Sequence, residues 1–145
     1  MALSRTPRTV PDHEWWRLLT PMFVHSDGWT QILFNFTSIA IVGAIVEKLY
    51  GYQRWLILYF VPGSIGELCG LAWQPYGAGA SVAGSGLLGG LGARLLRHES
   101  VPGRLRGVCI SLLAIAPTIR RDIHGPPILA GLCIGFVMLW QSLRS

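Results

Sequence analysis

Five apolar segments separated by short polar loops dominate this 145-residue sequence and limit what it can fold into. A transmembrane helix needs about 20 predominantly apolar residues, with a lower limit near 17. Four segments reach that limit, and the shorter fourth one can still cross a bilayer that thins locally. The segments are residues 29–46, 55–73, 80–96, 105–119 and 126–143. They predict an all-α fold, a polytopic membrane helical bundle with about five transmembrane helices.

The composition favours lipid over water as the surroundings of this chain. Charged residues make up 13% of the sequence and apolar residues 51%, whereas a soluble domain carries about 25% charged residues. The net charge of +5 could indicate nucleic acid as a partner. However, the basic residues lie between the apolar segments, where membrane topology places them. We therefore expect a multi-pass protein with the lipid bilayer and no nucleic acid as its partner, in a bacterial cytoplasmic membrane.

Arginine placement predicts the orientation in the membrane. The loop between the third and fourth segments, with the adjoining helix ends, holds four arginines, and such positive loops stay in the cytoplasm. The start of the third segment then faces outward, as do residues 1–28. Those residues mix Trp15, Trp16 and Arg17 with aliphatic side chains, which is typical of an interfacial element. We predict an outer interfacial segment over residues 1–28 and a transmembrane core over residues 29–145.

A serine at the outer start of the third segment is the main candidate for chemistry. Ser81 follows a glycine-rich loop that ends with Gly79 and Ala80. In one interpretation Ser81 is an N-cap, a position where serine is favoured. In the other it is a nucleophile, and the free N–H groups and positive dipole end of the helix would stabilise the oxyanion. These residues alone leave both interpretations open.

A serine nucleophile needs a nearby base, which is normally a histidine. His13 and His25 precede the first segment, and His98 lies in the cytoplasmic loop. His124 precedes the fifth segment on the outer side, where Ser81 also lies. We therefore expect His124 to be the base if Ser81 is the nucleophile; otherwise His124 is an exposed loop residue.

Polar side chains within the apolar segments are the remaining candidates. Gln31 and Asn35 lie four residues apart and hence on one helix face. Such groups usually face the bundle interior, either to bond other helices or to donate N–H groups to an oxyanion. Ser85 lies one turn after Ser81 and is a second candidate nucleophile, although its depth in the bilayer disfavours it. Glu67 in the second segment has no assigned role.

The order and spacing of several short motifs resemble the rhomboid family of intramembrane serine proteases. The resemblance runs from about Trp16 to Phe136, which is most of the chain. Before the central motif, Trp16-Arg17 resembles the family's W-R pair, Phe23-Val24-His25 its F-x-H, and the series Asn35, Gly43 and Glu47 its N…G…E pattern. Gly79-Ala80-Ser81 resembles its G-x-S, and Gly86-Leu87-Leu88-Gly89 resembles the glycines that follow. Gly131 and Gly135 resemble the glycines of the last catalytic helix.

The resemblance implies a rhomboid-like fold and a serine endopeptidase that cleaves transmembrane segments of membrane-protein substrates. Ser81 would attack the substrate, and a histidine on the last helix, His124 in our assignment, would act as the base without an aspartate. Asn35, with Gln31 and Gly79, would form the oxyanion hole and position the substrate. The resemblance implies no metal and no cofactor, and it leaves the oligomeric state open.

Several features depart from the family pattern. The family usually has six spans, and the first is absent here, so we expect a truncated product, a fragment or a minimal variant. Gln31 occupies the position of a family histidine, Val82 that of a glycine after the nucleophile, and Ser85 that of an aromatic residue. If Gly131 and Gly135 set the register, the family's catalytic histidine falls at Ile128, one helical turn after His124.

Two alternatives to an active protease remain open at this point. A catalytically inactive rhomboid-like protein that binds membrane clients would fit the departures from the family pattern. A small transporter or structural membrane protein would place Ser81 and His124 more than roughly 8 Å apart, beyond the reach of a hydrogen bond.

Overall fold

The computed structural model describes residues 3–9, 11–24 and 28–144 as an all-helical fold, which confirms the predicted class. His25, assigned above to the F-x-H motif, lies outside the described residues. Two 3-10 turns, Trp15–Leu18 and Thr20–Phe23, precede the α-helices. The α-helices are α1 (Gly28–Tyr50), α2 (Tyr52–Trp73), α3 (Ser81–Leu96), α4 (Val101–Ile119) and α5 (Gly125–Gln141).

Each α-helix corresponds to one predicted apolar segment, but α4 starts earlier than expected. It begins at Val101, whereas the apolar segment begins at residue 105. The reason is a local start signal: the Ser100 hydroxyl accepts a hydrogen bond of 3.3 Å from the Gly103 amide, and Pro102 lies in the first turn, where proline fits a helix.

The outer surface of the bundle is apolar, as a lipid-facing surface must be. Helices α1 and α2 are long and apolar enough to cross a bilayer, and α5 is a shorter apolar helix. Only 17% of an apolar 18-residue stretch of α1 is buried inside the bundle. The core helix of a soluble protein would be mostly buried, whereas α1 exposes large side chains such as Leu33, Phe34 and Ile41. The exposed apolar surface is far beyond scattered single residues, so the bundle is a multi-pass membrane domain.

Helix α3 is the central element and contacts each of the other four helices. Its 16 residues extend over about 24 Å, which is less than the about 30 Å of hydrocarbon in a bilayer. The two ends of α3 therefore cannot both reach the membrane surfaces. A side chain at its N-terminal start can lie below the surface of the membrane while the rest of the protein surrounds it.

Glycines allow the backbones of α3 and α5 to touch. A β-carbon at Gly131 of α5 would overlap the carbonyl oxygen of Gly86 in α3, and one at Gly89 of α3 would overlap the carbonyl oxygen of Ile128 in α5. Small residues permit this close approach in lipid, where helices associate by van der Waals packing. The contact at these glycines fixes how α5 lies against α3.

The N-terminal segment is attached to the bundle through Arg5. Its guanidinium pairs with the carboxylate of Glu67 in α2 and donates a hydrogen bond of 2.6 Å to the carbonyl of Gln74. The backbones of Arg5 and Gly77 form an isolated antiparallel bridge. Glu67, which had no assigned role above, is therefore the buried anchor that holds residues near the N-terminus on the C-terminal end of α2.

A candidate serine–histidine active site

Ser81 and His124 are hydrogen-bonded to each other at the N-terminal end of α3. The distance from Ser81 Oγ to His124 Nε2 is 3.0 Å. Ser81 is the first residue of α3, and Ala80 occupies the N-cap position without a side-chain cap bond. The N-cap interpretation of Ser81 is therefore wrong, because its hydroxyl faces the imidazole and not the amides of the first helical turn. The separation expected for a transporter or structural protein is also not observed.

The start of α5 determines where His124 lies. His124 is the N-cap of this helix, and proline occupies its first turn, a position that suits proline because the amides there lack helical partners anyway. A β-carbon at Gly125 would overlap Thr118, so the turn between α4 and α5 is tightly closed. These contacts direct the imidazole toward α3.

Ile128, the alternative position for the histidine, lies away from the serine. Its side chain is 5% exposed and packs in a core cluster with Ala93 and Leu132, while its carbonyl abuts Gly89. The alignment based on Gly131 and Gly135 placed the catalytic histidine of the family at Ile128, but Ile128 is a core residue and not part of the site. In the structure the histidine beside Ser81 is His124, one turn earlier.

Asp122 is a third polar residue of the site, and no sequence pattern above indicated it. Its Oδ1 lies 2.7 Å from His124 Nδ1 and accepts a hydrogen bond of 2.9 Å from the His124 main-chain N–H. The side chains of His124 and Asp122 are 40% and 45% exposed. Partial burial works to raise the pKa of Asp122, but the two hydrogen bonds and the charge of His124 outweigh it, so the pKa lies below its ordinary value. The carboxylate is therefore ionised at neutral pH.

Three further predicted site residues surround the serine. A β-carbon built on Gly79 would lie 3.4 Å from Ser81 Oγ, 3.6 Å from Gln31 Nε2 and 4.0 Å from Asn35 Nδ2. The absence of a side chain at Gly79 thus leaves a small space that these polar atoms border. Asn35 is only 3% exposed, and its amide nitrogen has no hydrogen-bond partner within the described part of the chain. A buried N–H group without an acceptor is costly, and here it borders the space beside Ser81.

Two cavities of different character meet at the serine and histidine. The first has a volume of about 320 Å³ and lies between α1 and α3. Its wall is mainly apolar: Phe34, Ile39, Val42 and Leu88, with Asn35 at the edge. The second has a volume of about 260 Å³ and lies beside the N-terminal end of α3. Its wall contains Gln31, Glu67, Gln74, Tyr76 and the loop that ends with Gly79.

The other candidates from the sequence lie elsewhere or make different contacts. The Ser85 hydroxyl donates a hydrogen bond of 2.8 Å to the Ser81 carbonyl, so it is bonded to its own helix. His98 lies 2.8 Å from the Ser100 hydroxyl at the start of α4, at the opposite end of α3 from Ser81. The ring of His13 packs against Trp15. Among the histidines that the structure describes, His124 is the one hydrogen-bonded to Ser81.

These features define a polytopic helical membrane protein with a paired serine and histidine at the N-terminal end of its central helix. Residues 12–145 match the family model described as the rhomboid domain. The chain therefore belongs to the rhomboid family, whose members are typically intramembrane serine proteases.

Three relatives illustrate the extent of this similarity. The rhomboid protein YdcA of Bacillus subtilis is 36% identical over 143 residues, which cover 94% of this chain and 71% of YdcA. The rhomboid protease GluP of the same organism is 43% identical over 83 residues, 57% of this chain and 16% of GluP. Rhomboid-like protease 3 of Toxoplasma gondii is 33% identical over 132 residues, 82% of this chain and 50% of that protein. The chain thus spans half or less of the latter two relatives.

Proposed function

We propose that this chain is an intramembrane serine endopeptidase that cleaves transmembrane segments of membrane proteins. The observation that carries the proposal is the 3.0 Å hydrogen bond between Ser81 Oγ and His124 Nε2. Acyl transfer to a serine requires a nucleophilic hydroxyl and a base within hydrogen-bond reach of it. Membership of the rhomboid family and the protease names of GluP and the Toxoplasma relative support the same reaction.

In the proposed reaction Ser81 Oγ attacks the carbonyl carbon of the scissile peptide bond, and His124 Nε2 accepts the hydroxyl proton. The resulting tetrahedral intermediate carries a negative oxygen, which N–H donors must stabilise. The Asn35 amide and the first-turn amides of α3 are the candidate donors, with Gln31 at the rim. When the intermediate collapses, the C–N bond breaks and His124 returns the proton to the leaving amine.

The second half of the reaction needs water. Water attacks the acyl-serine ester, His124 accepts a proton from that water, and collapse of the second intermediate returns the proton to Ser81 as the carboxylic product leaves. The polar outer cavity beside Gln31, Glu67 and Gln74 is the proposed route for this water. The apolar cavity between α1 and α3 is the proposed place for a substrate segment that arrives from the lipid.

We also propose a location and topology for the enzyme. In this arrangement residues 1–28 form an outer interfacial segment, residues 29–145 form the transmembrane core, and the arginine-rich loop between α3 and α4 faces the cytoplasm. Positive loops are retained on that side. A bacterial cytoplasmic membrane is the proposed setting, which the similarity to two Bacillus proteins supports.

The direct test is proteolysis in reconstituted vesicles. The purified chain would be mixed with a single-pass transmembrane substrate, and cleavage would be compared for the unchanged protein, Ser81→Ala and His124→Ala. Ser111→Ala is a matched serine control, since its hydroxyl donates to the Gly107 carbonyl within α4. His98→Ala is the matched histidine control at the far end of α3.

A fluorophosphonate probe provides a second reading that needs no known substrate. We expect covalent labelling of the unchanged protein and of both control variants, and none of Ser81→Ala. Labelling of His124→Ala should fall by about 10²–10⁴-fold, the range for loss of a positioned general base. Cleavage that survives both site substitutions would remove the proposal. A folded chain that binds a membrane client but neither cleaves it nor reacts with the probe would instead be an inactive rhomboid-like protein.

A further inference from the structure

We propose that Asp122 is a positioning residue for His124, so that this chain works with an aspartate–histidine–serine series in place of an isolated pair. The proposal rests on the proposed protease function and assigns Asp122 a role in the same site. Asp122 does not touch the substrate in this scheme. It acts through the imidazole. The inference rests on two contacts: Asp122 Oδ1 with His124 Nδ1, and His124 Nε2 with the Ser81 hydroxyl.

The contacts form a continuous series from carboxylate to hydroxyl. Asp122 Oδ1 lies 2.7 Å from His124 Nδ1, and His124 Nε2 lies 3.0 Å from Ser81 Oγ. An ionised carboxylate only accepts hydrogen bonds, so its partner nitrogen must carry the proton. With the proton on Nδ1, the lone pair of Nε2 faces Ser81 and can accept the hydroxyl proton. The carboxylate therefore selects the one neutral tautomer that can serve as the base.

The turn between α4 and α5 holds this carboxylate in place. The Asp122 amide donates a hydrogen bond of 2.9 Å to the Pro117 carbonyl, and the Gly125 amide donates one of 3.3 Å to the Asp122 carbonyl. Arg121 has a left-handed backbone with φ of 58°, which ends α4 and turns the chain. The Asp122 Oδ1 atom also accepts the His124 main-chain N–H at 2.9 Å. The carboxylate is thus bonded to both the ring and the backbone of His124, which fixes the ring orientation.

Charge at the site is compatible with this role. The low pKa of Asp122 keeps its carboxylate ionised, and the imidazolium that forms during the attack would be stabilised by this neighbour. The other charged side chains around the pair are few: Glu67 lines the outer cavity but is paired with Arg5, and Arg121 is exposed in the turn. Because Asp122 is 45% exposed, solvent screens its charge, so orientation of the ring is its larger contribution.

The competing explanation is that Asp122 only caps the start of α5. A carboxylate near a helix N-terminus accepts backbone N–H bonds and stabilises the helix whether or not catalysis occurs. Asp122 Oδ1 makes both contacts, so the two roles are separated by charge. With its amide oxygen in the same place, Asp122→Asn still accepts the His124 main-chain N–H, but it is an uncharged and weaker partner for the imidazole. Asp122→Ala removes both functions. Asp122→Glu keeps a negative charge on a side chain that is longer than that of aspartate.

The kinetic experiment measures fluorophosphonate labelling of Ser81 between pH 5 and 9 in the full chain. We expect Asp122→Asn and Asp122→Ala to slow labelling by about 10- to 100-fold, the range for loss of a partner that orients a histidine, with partial recovery in Asp122→Glu. Glu99→Gln removes an exposed carboxylate of the α3–α4 loop and is the matched control with unchanged rate.

¹⁵N NMR of the His124 imidazole shows which ring nitrogen carries the proton, and it needs no reaction at Ser81. In a chain whose other three histidines are replaced by glutamine, ¹⁵N-labelled His124 should carry its neutral-state proton on Nδ1. That preference should weaken in Asp122→Ala. An unlabelled Ser81 in the unchanged protein would overturn the proposed protease function, while the NMR result would still decide the role of Asp122. A labelled Ser81 whose rate and tautomer do not respond to Asp122→Asn or Asp122→Ala would overturn the role of Asp122 and leave the protease function standing.

Discussion

Arg5 and Glu67 lie 62 positions apart in the sequence and form an ion pair whose side chains are 0% and 1% exposed. The pair connects the N-terminal segment to α2, and Arg5 also bonds the Gln74 carbonyl at the start of the loop that leads to Ser81. The position of that loop therefore depends on a contact far from the serine in sequence. Breaking the pair should affect both stability and activity.

We expect Glu67→Leu and Arg5→Met alone each to lower the free energy of unfolding by about 3–5 kcal/mol, since each leaves one buried charge without its partner. The double variant should be more stable than either single variant, because it removes both charges together. Thermal unfolding in detergent would measure this, with the exposed Arg8→Met as the control. Single variants as stable as the unchanged protein would contradict a buried charge pair.

Contact between the backbones of α3 and α5 predicts that Gly131 tolerates no larger residue. In Gly131→Val the side chain would overlap the Gly86 carbonyl, so α5 must move away from α3 and take His124 with it. We expect a loss of about 1–3 kcal/mol or more in stability, and loss of probe labelling even in the fraction that stays folded. Ala116→Val, on an exposed face of α4, adds the same side chain without this contact and should label normally.

Asn35 offers a case in which activity and stability should change in opposite directions. Its buried amide nitrogen has no partner in the described residues, so Asn35→Leu removes a costly polar group from the interior. Stability should stay equal or rise, whereas loss of an oxyanion donor should lower kcat by about 10²–10³-fold. The exposed Thr37→Val on the same helix is the control. An Asn35→Leu variant with full activity would remove Asn35 from the oxyanion hole.

Gly79→Ala should fold normally and still lose activity. The added β-carbon would meet Ser81, Gln31 and Asn35 at ordinary van der Waals distances, and Gly79 does not adopt a left-handed conformation. The methyl group would nevertheless occupy the space in which we place the substrate oxygen. We expect an unchanged melting temperature with a strongly reduced kcat/KM, measured on the vesicle substrate. A fully active Gly79→Ala would show that the oxyanion lies elsewhere.

The depressed pKa of Asp122 predicts a pH-dependent stability difference between the unchanged protein and Asp122→Asn. The pKa of the folded state lies below the unfolded value, which is about 3.9. The stabilisation is therefore present above about pH 4 and disappears as the pH falls through the lower folded value. Melting temperatures of the two proteins should differ slightly at neutral pH and converge in acid. A difference that persists at the lowest pH would point to a cause other than ionisation.

Sequence patterns were sufficient for the helices and for the expectation that Ser81 and His124 lie on the same side, while the catalytic role of this pair stays a prediction. Runs of apolar residues locate the α-helices to within a few positions, because lipid requires an uninterrupted helical backbone. The topology then selected His124, since it is the histidine near a helix start on the same side as Ser81. The register of α5 was harder to predict, because glycines recur at several helix positions and cannot by themselves say which turn carries the histidine.

Two site contacts could not be predicted because they depend on tertiary structure. Arg5 lies in a polar segment without periodicity, and nothing in its neighbourhood indicates that it reaches Glu67. Asp122 precedes His124 by two residues, a spacing that brings the side chains together only in a tight turn such as the one closed by Thr118 and Gly125. The sequence contains one feature that could have indicated this contact: Asp122 and His124 lie just before two prolines that mark a helix start.

The meeting of α3 and α5 through bare glycines has a consequence for how this protein can vary. Main-chain contacts at Gly86, Gly89 and Gly131 bring the two helices that carry Ser81 and His124 close together. Residues on the lipid-facing surfaces can therefore be exchanged to suit membranes of different thickness or composition without altering the spacing of hydroxyl and imidazole. The Ser81–His124 spacing can thus persist while the lipid-facing sequence diverges.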